Sequence, residues 1–426
     1  MTSTPGVRLL SVAALAALAL AALAPGRREG PRHEVRDAGR PVVLVSARDA
    51  RALTDEAIGL YASGQFPRAC ERFSQAAEAD PANAAKHLRV SRCFEGWGWQ
   101  ALRDRRPEEA RLLFREGLAG APDAPALLKG LGLAAVHAGR PDEAIGPLER
   151  AASGDFDAEV RLLLAHLYDD RDDPASAIAH LRAVLEREPA HEAARRLLEK
   201  VERERQAEAG FERDVTAHFV VKYRGARAEE ARRQIVAVLD GAAERLRHAL
   251  AYRPSGRLTV VLYEHERFQD VTRVHGWATG LFDGKIRLPV DPTLPPAAQL
   301  ERLIVHEYAH AAIHHLSRGR APRWLHEGLA QALEGAPADP MLRVPGSLTL
   351  AGVEALVADP DRLRARAGYE IALWIVRDLL DRGGLEAMRD LLARLGAGAM
   401  LSDATLAVYG LRMAEIESQW RRLLGG

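Results

Sequence analysis

Between residues 49 and 189 the apolar positions recur at the three-to-four-residue spacing of amphipathic helices, and the helical segments come in pairs. First helices are expected over 52–63, 84–96, 127–138 and 159–169. Each second helix opens near a proline: Pro67, Pro107, Pro141 and Pro174, spaced 40, 34 and 33 residues apart. Proline suits a first helical turn, where its missing N–H leaves no bond unmade. Three residues after each proline stands a small residue, Cys70, Ala110, Ala144 or Ala177, which lets two helices pack closely. The 40-residue interval predicts an insertion around 97–106.

A period near 34 residues with paired helices resembles the tetratricopeptide repeat family. The resemblance spans Asp49 to Pro189 and implies an α-solenoid with a concave surface for a peptide or partner protein. A Glu- and Arg-rich helix over 190–209 then reads as the polar cap that a solenoid needs. Trp97 and Trp99 are either anchors on the concave surface or core residues. Cys70 and Cys93 fall on neighbouring helices of the stack, either bonded to each other or buried as small thiols.

The texture changes after Ala217. Alternating or continuous apolar runs predict strands over 218–223, 258–263 and 280–289, with a helix over 228–250 between the first two. Gly280 and Gly284 in the third suit close backbone approach or a bulge. From Tyr369 onward the pattern is helical.

Lys plus Arg and Asp plus Glu both number 59, so the zero net charge offers no electrostatic footprint for nucleic acid. The two cysteines exclude a disulfide-rich scaffold and a four-cysteine zinc site. Residues 1–24 form a leader: Arg8, then an uncharged apolar run over 9–24 with small-x-small sites at 17–19, 19–21 and 22–24. It is either a cleaved signal peptide or a retained membrane anchor, and both place the body outside the cytoplasm, periplasmic or envelope-associated. The Arg-, Gly- and Pro-rich stretch that follows reads as a linker.

The chemistry concentrates in His306-Glu307-Tyr308-Ala309-His310, inside a predicted helix. Positions i and i+4 share one helix face, so the two imidazoles can bind one zinc ion while Glu307 reaches its water as general base. Glu327, seventeen residues after His310, completes a two-His, one-Glu set of the kind found in catalytic zinc sites. A metzincin third ligand is excluded, because Ile313 and Leu316 occupy its glycine and histidine positions.

With Trp324-Leu325-His326-Glu327-Gly328-Leu329-Ala330, the motif resembles the gluzincin, peptidase MA-like metalloproteases over roughly the last half of the chain. The resemblance implies one zinc per chain held by His306, His310 and Glu327, with Glu307 as base and Tyr369 as oxyanion donor. It also implies that 279–288 is an edge strand lining the cleft. At the position one turn after Glu327, where an acid often accepts the second N–H of a ligand histidine, stands Gln331. His314, His315 and His326 are expected to stay outside the ligand set.

The expected fold class is mainly α: a tetratricopeptide-type α-solenoid, then an α+β gluzincin-like domain with a small mixed sheet and a helical C-terminal lobe. The expected organisation is leader 1–24, linker 25–48, about four repeats over 49–189, a capping or linking helix over 190–213, and the peptidase domain over 214–426. The implied activity is hydrolysis of peptide bonds in a peptide or protein substrate, with a protein partner on the repeats and membrane anchoring through 9–24 if the leader is retained. Two alternatives stay open: a non-catalytic repeat scaffold fused to a zinc-binding domain in an envelope complex, and a hydrolase of peptidoglycan cross-links.

Overall fold

The computed structural model describes residues 47–154, 156–254, 256–273, 280–290, 297–339, 342–344 and 347–424. The leader, and the linker as far as residue 46, lie outside the described residues, as does Thr279. The chain has two compact units. One runs to Leu167 and includes Ala179–His191; the other takes Tyr168–Ile178 and everything from Glu192 onward.

Helix pairs build the array: α1 (Ala47–Ala62), α2 (Phe66–Glu78), α3 (Ala84–Arg103), α4 (Pro107–Gly120), α5 (Pro125–His137), α6 (Pro141–Ser153), α7 (Ala158–Asp170) and α8 (Pro174–Arg187), the end of α7 and the start of α8 belonging to the other unit. Pro107, Pro141 and Pro174 are first residues of their helices, and Pro67 is second in its own. Gly64 and Gly139 make the reversals before α2 and α6 at φ +73° and +74°, a region glycine enters without steric cost. Ala110, Ala144 and Ala177 have no exposed surface and Cys70 has 1%, as the close packing of paired helices requires.

The extra residues of the long repeat do not form a loop. They lengthen α3, which has 20 residues against 13 in α5, about two further turns. Gly98 of α3 and Gly130 of α5 leave room for Phe114, whose ring lies where added Cβ atoms would sit, at 2.7 and 2.4 Å. Trp97 packs with Phe73 and the two cysteines, which are joined by a disulfide between α2 and α3. Trp99 meets Phe114 edge-on and, with Tyr61, Arg92, Lys129 and Phe156, lines a cavity of about 800 Å³.

The second unit holds α9 (Glu192–Ala207) and a five-stranded sheet: β1 (Glu212–Val215), β2 (Phe219–Tyr223), β3 (Leu258–Glu264), β4 (Leu281–Phe282) and β5 (Ile286–Val290), in the order β1-β2-β3-β5-β4. The three inner strands are parallel and the two edges antiparallel. Helix α10 (Ala226–Leu250) is the crossover from β2 to β3, and α11 (His265–Thr272) follows β3. Phe219, Val221, Val260, Leu262, Ile286 and Leu288 face a large core shared with α10 and α12 (Ala297–Ser317). Val261 and Tyr263, of opposite parity, face Ala207 of α9 and Phe268 and Val271 of α11.

A helical lobe completes the unit: α13 (Arg323–Glu334), α14 (Leu350–Val357), α15 (Arg362–Gly396), α16 (Leu401–Tyr409) and α17 (Met413–Leu424). Helix α15 is broken at Gly384, whose φ of +64° interrupts the helical backbone.

Three expectations are corrected here. The segment 280–289 is not one strand but the hairpin β4–β5, turned at Asp283-Gly284 with Gly284 at φ +104°. Its long strand is internal, and the edge is the two-residue β4. The helix expected over 190–209, and the linking segment to 213, give way to a helix ending at Ala207 and a strand starting at Glu212. The polarity of α9 is not that of an exposed cap, because Glu204 is 4% exposed and sits among charged residues of the sheet.

The disulfide closes a loop of 23 residues in sequence separation, which corresponds to a stabilisation of about 3 kcal/mol through the unfolded state. Purified protein should show no reactive thiol before reduction. The Cys70→Ser, Cys93→Ser double variant should unfold at lower denaturant, and an unchanged midpoint would contradict the bond.

Candidate functional site

Helix α12 displays His306 and His310 one turn apart on one face, with Nε2 to Nε2 at 3.1 Å. Helix α13 brings Glu327 to them: its Oε2 is 3.5 Å from His306 Nε2 and 3.6 Å from His310 Nε2. Among the described residues these three form the group able to hold a metal ion, their ligand atoms all within 4.8 Å of one another. Tetrahedral ligands about 2.0–2.1 Å from a zinc ion stand roughly 3.3–3.4 Å apart. The observed separations bracket that value.

Several contacts fix α13 in place. Gly328 lies against the Ala372 carbonyl of α15, where an added Cβ would come within 2.3 Å. No larger residue beside Glu327 allows that approach. The first turn of α13 lacks a side-chain cap of its own; Glu354 of α14 accepts from the Arg323 and Trp324 amides at 3.0 and 3.1 Å.

The far nitrogen of His306 has a carboxylate partner. His306 Nδ1 is 3.3 Å from Glu334 Oε2, on the last turn of α13. A proton held on Nδ1 leaves the Nε2 lone pair facing His310 and Glu327, which is how a ligand histidine is oriented. Sequence reasoning assigned this position to Gln331 and is corrected: the Gln331 amide instead donates to the Glu327 carbonyl at 3.1 Å and the Tyr369 carbonyl at 2.9 Å. The signal was present. Glu334 is seven residues after Glu327, two turns along the same face.

The electrostatics suit a cation among the three. Burial opposes ionisation of Glu327, yet His310 and His306 hold its carboxyl down to about 2. Burial likewise opposes the charge on His306, and hydrogen bonds with Glu327 and Glu334 still raise its pKa well above the ordinary value, so a bound cation would take the place of the Nε2 proton and its charge. Burial pulls His310 down to about 4 and so favours its neutral, ligating form. Glu307 is 5% exposed, and burial pushes its carboxyl up to about 7. Its neighbour is Gly280, where an added Cβ would meet Oε1 at 2.5 Å, so the close approach foreseen for that glycine is to Glu307.

Tyr369 lies within electrostatic reach of Glu327 and Glu307. Burial raises its phenol pKa, and the charges of Glu327 and Glu307 raise it further. The other histidines stay out of the ligand group. His326 places its ring 5.8 Å from that of His310, His314 meets Phe282, and His315 Nδ1 is 2.6 Å from the Tyr252 hydroxyl.

Residues 101–167, from the end of α3 through most of α7, match the tetratricopeptide repeat family model. The first unit is a tetratricopeptide repeat array. The match lies wholly outside the site just described. Solved structures similar to the chain include TTC0263, a thermophilic tetratricopeptide protein of Thermus thermophilus, at 19% identity, covering 36% of this chain and 98% of that one, with a TM-score of 0.22. Another is the tetratricopeptide domain of P58(IPK), at 12% identity over 88% of this chain and 98% of that one, with a TM-score of 0.20. No curated protein matches.

Two substitutions probe the site directly. Glu334→Gln should weaken divalent-cation binding by about 10–100-fold, the usual effect of losing such a partner, in a chelator-competition titration. Unchanged affinity would remove Glu334 from the site. Gly280→Ala should keep cation affinity while displacing the Glu307 carboxyl, seen as a changed position of that side chain in a crystal structure of the variant.

Proposed function

We propose that the second unit is a zinc-dependent peptidase of gluzincin type, with one zinc per chain bound by His306, His310 and Glu327. The observation that carries this reading is the near-tetrahedral spacing of the three ligand atoms, 3.1 to 3.6 Å, with a buried carboxyl beside them and a carboxylate behind His306. Two imidazoles and one carboxylate match the donor set of a catalytic zinc site, which keeps one coordination position for water or substrate. When bound, zinc supplies Lewis acidity and makes hydroxide accessible near neutral pH.

The chain's own residues supply the rest. Glu307 accepts the proton of the attacking water on its carboxylate and delivers it to the leaving amine. Burial, which raises its pKa, favours both directions of that transfer. Tyr369 offers a phenol O–H to the developing oxyanion, and burial keeps that proton on the phenol. Glu334 holds the His306 ring. Strand β4, the edge of the sheet among the described residues, offers a side for an extended peptide to add to.

The repeat array serves as a second surface that recruits a protein substrate or partner, which makes the catalytic encounter intramolecular. We place the protein outside the cytoplasm, a reading supported by the Cys70–Cys93 disulfide. The second reading is a repeat scaffold whose metal site is idle. It is favoured by one fact, that the family match falls entirely in the array.

A peptide-library digest with the zinc-loaded full chain separates the two. Elemental analysis should find one zinc per chain, and His310→Ala should lose it; full retention would sink the ligand assignment. Glu307→Gln should keep zinc and lose at least about a hundredfold in kcat, the scale of general-base catalysis. Cleavage by the variant at the parental rate would remove Glu307 from the mechanism, and no cleavage by the zinc-loaded parent would leave the scaffold reading standing.

A further inference from the structure

One row of residues crosses the sheet in register: Arg213, Lys222, Val261, Arg287, Leu281. It belongs to the face turned away from α12, and two of its inner members are cations. Arg287 has no exposed surface, and Lys285, two residues earlier on the same side, has 4%. A buried cation is tolerated only when partners surround it.

Here the partners come from elements far apart in sequence. Arg287 is ion-paired with Glu204 at 2.8 Å and Glu208 at 3.3 Å, both acids of the α9 segment, and with Asp283 at 3.0 Å. Its Nη1 also donates to the Tyr263 hydroxyl at 2.9 Å. Lys200 of α9 bridges Asp169 at 2.8 Å, Glu204 at 3.1 Å and Asp283 at 3.2 Å. Lys285 meets Asp169 at 3.3 Å and Asp172 at 3.2 Å. Lys222 pairs with Asp172 at 2.9 Å and with Glu208. Gly284 leaves room for Asp170, whose Oδ1 would lie 2.5 Å from an added Cβ.

Two ends of this cluster matter for the site. Asp169 lies in the last turn of α7 and Asp172 in the turn between α7 and α8, the last helix pair of the repeats, in a segment that belongs to the second unit. Asp283 and Arg287 span the hairpin turn, and three residues before Asp283 stands Gly280, packed on the Glu307 carboxyl. Three residues of extended chain reach at most about 10 Å. The backbone against Glu307 is therefore closely tethered to the ionic cluster.

We propose that this buried network is a positioning device for Glu307: it fixes the β4–β5 hairpin so that Gly280 confines the carboxyl, and it makes the Asp169–Asp172 turn of the last repeat part of that fixture. Replacing such a network by apolar residues is often neutral for stability, so stability alone gives no reason for it. What it supplies is a single position for the hairpin. A shift of the α7–α8 turn is passed through Lys285 to the hairpin. The proposal rests on the peptidase reading for its catalytic consequence, while its structural content is tested separately.

The test uses the zinc-loaded full chain and its Asp172→Asn variant, which removes charge at nearly constant shape; Lys285→Met is a second variant. Amide hydrogen exchange is followed over 281–290 and 304–310, with zinc content and the kcat and KM of a short peptide from the library digest. Asp172→Asn is expected to speed exchange of the hairpin about tenfold and to lower kcat about tenfold, with zinc content unchanged and KM within about twofold. A fold defect alone would change zinc content and KM as well. Unchanged hairpin exchange overturns the proposal, and so does faster exchange with parental kcat. If the parent cleaves no peptide, the peptidase reading fails by itself. Exchange over 304–310 then decides: a rise together with the hairpin supports the coupling, and none overturns it. If Lys285→Met does not fold, Asp172→Asn carries the test alone.

Discussion

The guanidinium of Arg287, on β5 beside the edge of the sheet, has no exposed surface. An ion in such a place costs several kcal/mol unless carboxylates and hydroxyls replace its water. That requirement reaches across the second unit. It brings Glu204 and Glu208 onto the sheet with α9, holds Asp283 in the hairpin turn, and turns the Tyr263 hydroxyl toward the same point. The opposite face of the same strands is apolar and packs on α12. One face is thus specified by shape and the other by charge pairing, which permits fewer alternative registers than apolar contact alone.

The candidate site draws on both faces. The apolar side seats α12, with Val305, Ala309 and Ala312 buried, so that His306 and His310 point away from the core. The polar side holds the hairpin that ends at Gly280. The third ligand depends on neither. Glu327 is placed by the packing of Gly328 on α15 and by Glu354 at the start of α13. Three independent pieces of structure converge on one point, and each uses a residue with no chemistry of its own to bring a ligand or the base into place.

Much of this was legible in local sequence patterns, because local rules generate it. The prolines at 107, 141 and 174 open helices for steric reasons, and the spacing of His306 and His310 puts them on one face of any helix. The β2 and β3 segments are apolar runs bounded by turns. The hairpin break has a local signal as well, the turn-forming pair Asp283-Gly284, which the apolar run on either side masks. The β1 strand was not legible. Its Glu-Arg-Asp-Val sequence is mostly exposed and gains its strand conformation only by pairing with β2. Glu334 was not legible as a partner by the one-turn rule, because the imidazole of His306 meets a carboxylate two turns beyond Glu327 along α13.

The burial of α9 shows where local reasoning ends. Its mean character is strongly polar, and polarity ordinarily means solvent. The charges are buried because their partners, Asp169 before the helix and Lys285 and Arg287 well after it, are brought together by folding. No window of sequence contains both sides of such a pair. The same holds for extra length in a repeat: the interval between Pro67 and Pro107 announced additional residues, but whether they formed a loop or two more turns of α3 depended on what α3 packs against. Phe114 and the glycines that admit it decide in favour of helix, since a continuous α3 gives that ring a closed place to sit. Pattern therefore specifies the elements, and the pairing of buried charges and close-packed glycines specifies how far each extends and which functional side chain it delivers.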